Sequence, residues 1–341
     1  MTTITKTQTS HLLQREKAIA MVKESFEKGL KASLALSKVS SPVAVLSGTG
    51  INDDLNGIER PVSFPIKALG EQKAEVVHSL AKWKRLRLAQ LQIPKGEGII
   101  TDMRALRPDE DYSSIHSIYV DQFDWEKHIS HDTRSLETLK KTVLKIYDQL
   151  KRTELEVEAE FPEIRAILPE KITFIHSEDL LKEYPDLSPK EREHEACKKY
   201  GAVFLIGIGG ELSDGKEHDG RAPDYDDWSS ETEHGYKGLN GDILVWHPVL
   251  KTAFEISSMG IRVDKEALER QLKIRACEER KEMLFHKLLL AGQLPESIGG
   301  GIGQSRLCMF MLKLSHIGEV QVGIWDDKIQ SQLKLDGVDL L

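Results

Sequence analysis

Near its C-terminal end the chain reads Gly299-Gly300-Gly301-Ile302-Gly303-Gln304-Ser305-Arg306, and no other stretch limits the fold so tightly. Four glycines in five residues give up much conformational freedom on folding. Such a run is kept where a backbone must come close to something flat or anionic. Arg306, opening the next segment, brings a planar fork that can pair with phosphate or stack on a base. Far upstream, Arg104-Ala105-Leu106-Arg107-Pro108-Asp109-Glu110-Asp111 sets a second arginine before a Pro-acidic turn. Two separated arginines of this kind suit a site that activates a nucleotide.

The better-known nucleotide loops do not fit. No G-x-x-x-x-G-K-[ST] occurs, which argues against a P-loop. Gly207-Ile208-Gly209-Gly210 follows a strand-like Ala202-Val203-Phe204-Leu205-Ile206 but lacks the third glycine of a dinucleotide fingerprint. It reads as a tight turn after a buried strand. The histidines show no H-E-x-x-H and no Cys/His cluster, and G-x-S-x-G is absent.

A length of 341 residues, 40% of them hydrophobic, supports a real core. A net charge of −8 disfavours nucleic acid as a partner. Cys197, Cys277 and Cys308 are odd in number and form no CxxC, so neither a disulfide framework nor a zinc ribbon is indicated. No secretory leader is legible and no apolar stretch approaches a membrane span. A cytoplasmic protein without a membrane partner is expected.

Ile19, Val22, Phe26, Leu30 and Leu34 recur at helical spacing. Ser41 to Leu46 is a short β-like run opened by Pro42, and Ser47 to Gly57 reads as a loop. Val62 to Leu69 reads as a strand and His78 to Gln90 as a helix. Ile99 to Leu106 and Ile115 to Phe123 bracket the Arg107 turn as an antiparallel hairpin. Leu136, Leu139, Val143, Ile146, Leu150 and Val157 stripe a long helix that Asp132 could cap. Lys171 to His176 and Val203 to Ile208 read as strands, with a polar helix, Ser188 to Lys199, between them. His218 to Trp228 is a charged loop, and Asp242 to Pro248 with Ala253 to Ser258 a strand pair. Asp264 to Leu290 is helical, as is Ser305 to Leu314 after the glycine run. Strand pairs beside helices argue for an α+β fold, and no linker divides the chain, so residues 1–341 are read as one domain.

Several residues could carry chemistry. Asp242, Glu255 and Ser258 fall on adjacent strands, where carboxylates can hold magnesium when a substrate supplies phosphate oxygens. Strict alternation puts Glu255 and Ser257 on one face and Ser258 on the other, unless a bulge intervenes. Arg221 and Asp226 share a Pro-containing acidic loop. Gln122 and Asp124 alternate on one strand face. Asp53 sits in the glycine-rich loop, as an acceptor or base.

Taken together these residues resemble the ammonia-dependent aspartate–ammonia ligases, asparagine synthetases related to class II aminoacyl-tRNA synthetases. The resemblance spans essentially the whole chain. It rests on Val77 to Arg85, Ala105 to Asp111, Tyr119-Val120-Asp121-Gln122-Phe123-Asp124-Trp125, Arg221 to Trp228, Leu239 to Trp246, Phe254 to Val263 and Gly299 to Arg306. It implies an antiparallel β-sheet flanked by helices and a homodimer. In the motif at that family's dimer interface, a helix leads into a proline-bearing strand. The helix ending near Leu36, followed by Pro42, matches it. The implied reaction joins L-aspartate and ammonia at the expense of ATP, through β-aspartyl-AMP, with Mg2+ as cofactor.

The residue roles follow from that resemblance. Arg107 would contact the α-phosphate and the reacting carboxylate. Arg306 would hold the adenine face or the γ-phosphate, Arg221 another phosphate, and Gly303 would let ATP approach. Lys84 would pair with the α-carboxylate of aspartate. Gln122, Asp124 and Asp226 would surround its ammonium group, with Ser257 or Ser258 lining the pocket. Asp242 and Glu255 would hold Mg2+, and Asp53 would receive the proton of ammonium.

Three rival readings are weaker. A tRNA-charging enzyme would bring an anticodon-binding domain, for which the chain leaves no room before its first strand. A non-catalytic sensor would be expected to have lost Arg107, Arg306 or the carboxylates. A glutamine-using enzyme would need a nucleophile such as an N-terminal cysteine, whereas the chain begins Met1-Thr2-Thr3 and has none before Cys197.

Overall fold

A computed structural model describes residues 6–53 and 59–341. The expected first helix forms as α1 (Lys6–Leu34), with Ile19, Val22, Phe26, Leu30 and Leu34 all buried. It lies against α3 (Leu136–Glu160), whose apolar stripe is buried from Leu139 to Val157, with Thr153 buried beside it and Leu136 half-buried. Gly29 lets the two helices approach, because a Cβ there would stand 2.0 Å from the Gln149 side chain. Asp132 does not cap α3. It lies in a 3-10 turn, and the Ser135 hydroxyl instead accepts from the Thr138 N–H.

Eight strands form one sheet in the order β1-β5-β6-β11-β10-β9-β8-β7. They are β1 (Leu36–Lys38), β5 (Gly98–Leu106), β6 (Tyr119–His128), β11 (Ser297–Gly303), β10 (Thr252–Ile261), β9 (Asn240–His247), β8 (Ala202–Ile206) and β7 (Thr173–His176). From β5 to β8 every pair is antiparallel, as expected for this fold class. The two outermost pairs, β1 with β5 and β7 with β8, are parallel. A small antiparallel sheet holds β2 (Ala44–Leu46), β4 (Gln72–Val76) and β3 (Ser63–Ile66).

Several boundaries differ from the sequence reading. Pro42 lies between β1 and β2, in neither strand. The expected strand Val62 to Leu69 ends at Ile66 and turns into a 3-10 segment. Part of the Ser47 to Gly57 loop, residues 54–57, lies outside the described residues. The expected helix Asp264 to Leu290 is two helices, α6 (Lys265–Ile274) and α7 (Leu284–Leu290). Ala276, at a left-handed φ of 50°, breaks the run between them.

The main core lies on one face of the large sheet, under α1, α3 and α8 (Gln304–Met311). The other face carries α2 (Ala81–Gln90) over β5, β6 and β11, and α5 (Pro189–Tyr200) over β8, β9 and β10. Ahead of α5, the short α4 (Ser177–Glu183) packs beside it. Between α2 and α5 the sheet face is left for a site.

Candidate active site

A cavity of about 550 Å³ occupies that ground. It gathers the expected site residues from all parts of the chain, with two exceptions, Asp242 and Ser257. Alternation along β6 sends Phe123 and Trp125 into the core, which leaves Gln122, Asp124 and Glu126 on the cavity face. Beside β6 runs the glycine strand β11, with Gly303 opposite Gln122, Gly301 opposite Asp124 and Gly299 opposite Glu126. A Cβ on Gly299 would stand 1.9 Å from the Glu126 carboxylate, and one on Gly301 2.1 Å from the Gln122 amide oxygen. None of these glycines has a positive φ. They give lateral room to the long polar side chains of β6.

That room is filled by buried charge. Lys84, from α2, ion-pairs with Asp124, donates to the Gly300 carbonyl at 3.0 Å and lies 3.9 Å from Glu126. Burial lowers the Lys84 pKa, although Asp124 works against the shift. Glu126 in turn accepts from Arg262 at 3.0 and 2.8 Å and from the Ser297 hydroxyl at 2.7 Å. Arg262 also pairs with Asp226, and Arg221 lies 3.8 Å from Asp226 while pairing with Asp242. Acids and bases thus alternate from Lys84 to Asp242. One oxygen of Asp124, Oδ2, is buried without a hydrogen-bond partner, which makes it an acceptor for a cationic group entering the cavity.

The strand pair beyond β11 settles the question of faces. The β9–β10 register shifts between Glu255 and Ser257 and leaves Ile256 as the extra residue of a bulge. Glu255 and Ser258 therefore both reach the cavity, while Ser257 is buried opposite Ile243 and does not. Asp242 stands opposite Ser258 but lies behind Arg221, which donates to it. Burial, opposed by Arg221 and helped by Glu255, pushes the Asp242 carboxyl up to about 7. For Glu255 burial is outweighed by Arg306 and Arg221, and its pKa falls below the usual range.

The two sharp candidates stand in the same cavity wall. Arg107, just past β5, donates to the His78 carbonyl at 3.3 Å and lies 4.0 Å from Glu110. Arg306, in the first turn of α8, lies 3.6 Å from the Glu255 carboxylate and donates to His116 Nε2 at 2.8 Å. A guanidinium cannot accept, so the His116 proton sits on Nδ1, toward the Ser113 hydroxyl at 2.9 Å. Asp53 is buried, with its carbonyl 3.1 Å from His78 Nδ1.

Among the residues of this wall that the sequence reading gave no role are His116, Lys190, Tyr225 and Arg262. His116 and Arg262 act through partners remote in sequence. Lys190, at the start of a polar helix, has the pattern of a solvated face, yet it donates to Asp219 at 3.1 Å beside the cavity. Tyr225 lies inside the charged loop that was singled out, and its hydroxyl is kept protonated by burial and by Asp53.

Burial and the adjacent Arg306 push His116 from 6.5 down to about 4. The folded state therefore binds this proton less readily than the unfolded chain does. Stability from this group is full above pH 6.5 and is lost as pH falls toward 4. In urea titrations across that window, His116→Gln should show a shallower decline than the parent; an identical decline would remove His116 from the account.

Comparison with known proteins gives the family. Residues 13–337 match the family model described as aspartate-ammonia ligase. The aspartate–ammonia ligase of Parabacteroides distasonis is 56% identical over 97% of this chain and 96% of its own length. Its counterpart in Bacteroides thetaiotaomicron is 57% identical over 94% of this chain and 93% of its own length. Among solved structures, asparaginyl-tRNA synthetase from Pyrococcus horikoshii, complexed with asparaginyl-adenylate, superposes with a TM-score of 0.66 at 16% identity. That match covers 92% of this chain and 70% of the synthetase, and at such identity it speaks to the fold alone. The chain belongs to the aspartate–ammonia ligase family, ligases of asparagine biosynthesis built on a class II aminoacyl-tRNA synthetase-like fold.

Proposed function

We propose that this ligase works in two steps through β-aspartyl-AMP. In the first, an oxygen of the aspartate side-chain carboxylate attacks the α-phosphorus of ATP, and the bond to pyrophosphate breaks. In the second, ammonia attacks the activated carbonyl carbon, and the bond to AMP breaks to leave asparagine. The observation that carries this reading is the placement of Arg107 and Arg306 in the wall of one cavity, together with the Lys84–Asp124–Gln122 cluster.

Arg107 binds the α-phosphate and the reacting carboxylate, where charge gathers as pyrophosphate departs. Arg306, steadied by His116, holds the adenine face or the γ-phosphate, Arg221 takes another phosphate, and Gly303 leaves room for the nucleotide. Lys84 faces the α-carboxylate of aspartate; Gln122, Asp124 and Asp226 face its ammonium group, and Ser258 lines the pocket. Alignment of the two reactants supplies roughly 7–11 kcal/mol at best. Asp53 receives a proton from ammonium, because only neutral ammonia is a nucleophile.

Mg2+ suits Glu255 in the cavity wall, and Asp242 behind it would join where Arg221 turns from it to a phosphate. The described residues hold no cluster of three or more His, Cys, Asp or Glu for a metal, so no all-protein cage is built there. Two carboxylates beside a phosphate site match the sparse protein ligation magnesium takes. When bound, it would neutralise charge on the phosphate oxygens. We further propose one catalytic domain over residues 1–341, a homodimer and a cytoplasmic location. Val43, Leu46 and Phe64 are exposed on and beside the small sheet, which leaves apolar surface for a second copy. Among the described residues no helix is long and apolar enough to cross a membrane.

The test follows AMP and asparagine with aspartate, ATP, magnesium and ammonium, with glutamine and tRNA as alternatives. Equal yields dependent on ammonium support the reading; AMP only with tRNA overturns it. Asp53→Asn should keep aspartate-dependent ATP–pyrophosphate exchange and lose asparagine output by about 10²-fold. Full output from that variant would remove Asp53 from the second step.

A further inference from the structure

Behind the cavity wall Asp224 is fully buried and takes three donors on one oxygen. Its Oδ2 accepts from Lys82 Nζ at 2.9 Å, from His286 Nε2 at 3.0 Å and from Arg280 Nη1 at 3.5 Å. Lys82 and His286 are buried as well. Burial works against the carboxylate, yet Lys82 and His286 hold the Asp224 pKa well below the usual range. A buried acid so paired fixes geometry, since its charge must keep a partner where it is buried.

What this aspartate joins gives it meaning. Its chain neighbours Tyr225 and Asp226 line the cavity, and Lys82 lies two residues before Lys84 on α2. His286 belongs to α7, and the segment leading to Asp53 leans on that helix. The Phe285 N–H donates to the Thr49 carbonyl at 3.1 Å. Gly50, at a left-handed φ of 71°, lies so close that a Cβ would stand 2.9 Å from His286 Nδ1. The far end of the segment is pinned separately. Asn52 Oδ1 accepts from the His78 N–H at 2.8 Å, and its Nδ2 donates to the Val76 carbonyl at 3.3 Å. Asp53 thus sits between two anchors, one of which is the imidazole of His286.

We propose that Asp224 and His286 are positioning residues for the ammonia step, with the imidazole wedged between the Asp224 carboxylate and Gly50 to set the place of Asp53. This rests on the assignment of Asp53 to ammonium. Loss of His286 leaves Asp224 paired with Lys82 and Arg280, so the α2 arm that carries Lys84 keeps its anchor. Only the Asp53 arm loses its backing. Adenylation is spared and amination suffers.

The experiment compares His286→Leu, His286→Gln, Gly50→Ala and Asp53→Asn in the full chain. Aspartate-dependent ATP–pyrophosphate exchange reads the first step, and asparagine output against ammonium concentration reads the second. For His286→Leu the KM for ammonium should rise about tenfold, the scale of a modest misplacement. Exchange should stay within about twofold of the parent. His286→Gln keeps a donor to Asp224 and should restore most of the loss, and Gly50→Ala, pressing from the other side, should act like His286→Leu. Exchange and amination falling by one factor in both His286→Leu and Gly50→Ala would overturn the proposal, as would no change in either variant. If His286→Leu fails to fold, Gly50→Ala and His286→Gln decide by the same criteria. Intact amination in Asp53→Asn would defeat the Asp53 assignment, and this proposal with it. Lost amination there, with the His286 and Gly50 variants like the parent, would defeat this proposal alone.

Discussion

Arg107→Ala should lower kcat/KM for asparagine formation by about 10³-fold, the scale seen when a fixed transition-state donor is removed. The fold should hardly notice. Among the described residues the Arg107 side chain makes one long hydrogen bond, 3.3 Å to the His78 carbonyl, and one ion contact at 4.0 Å. Contacts of that kind contribute about 0–1 kcal/mol. Thermal melting of the variant should therefore match the parent while turnover collapses. ATP–pyrophosphate exchange should fall with it, because the group acts before ammonia arrives. Arg107→Lys should recover little, since a point charge cannot bridge phosphate and carboxylate as a fork does. A loss under about tenfold would place the reacting phosphate elsewhere in the cavity.

Gly299→Ala should cost about 3 kcal/mol or more of stability, by overpacking onto a buried ion pair. The added Cβ would stand 1.9 Å from Glu126 Oε2 and 2.7 Å from Arg262 Nη2. Neither group can retreat: Glu126 is held by Arg262 and Ser297, and Arg262 by Asp226. Gly301→Ala gives the contrast. Its Cβ would meet the Gln122 amide at 2.1 Å, the free end of a side chain that can swing into the cavity. That variant should keep most of its stability and lose activity as Gln122 blocks the cavity. Urea unfolding of both variants checks the order; equal stability losses would mean that Gln122 is no freer than Glu126.

The sequence made the long helices and the Arg107 hairpin legible because each carries an unmixed period: 3.6 along α1 and α3, alternation along β6. It hid β1, which is three residues long and finds its parallel partner far away in β5. It hid β4, whose Gln-Lys-Ala-Glu-Val pattern is polar enough to pass for a loop. The break at Ala276 carries no glycine or proline to mark it. In the site, Arg107 and Arg306 were legible because proline and glycine flag them. The roles of Ser257 and Ser258 hung on a bulge at Ile256 that alternation cannot foresee. The pairing of Lys84 with Asp124, and the whole place of Arg262, depend on contacts between distant segments, to which local pattern is blind.

The glycines of β11 also decide how the sheet can assemble. In the observed register, residues with no side chain face Gln122, Asp124 and Glu126, while Ile298 and Ile302 enter the core. Slipping β11 by one residue would turn both isoleucines out onto the charges and leave glycine-sized voids beneath the helices. No such slipped pairing could bury either its apolar or its ionic half. The strand that makes room for the polar side chains of β6 is therefore also an alignment mark, and a chain that misassembles here should be rejected during folding, before it could become a defective catalyst.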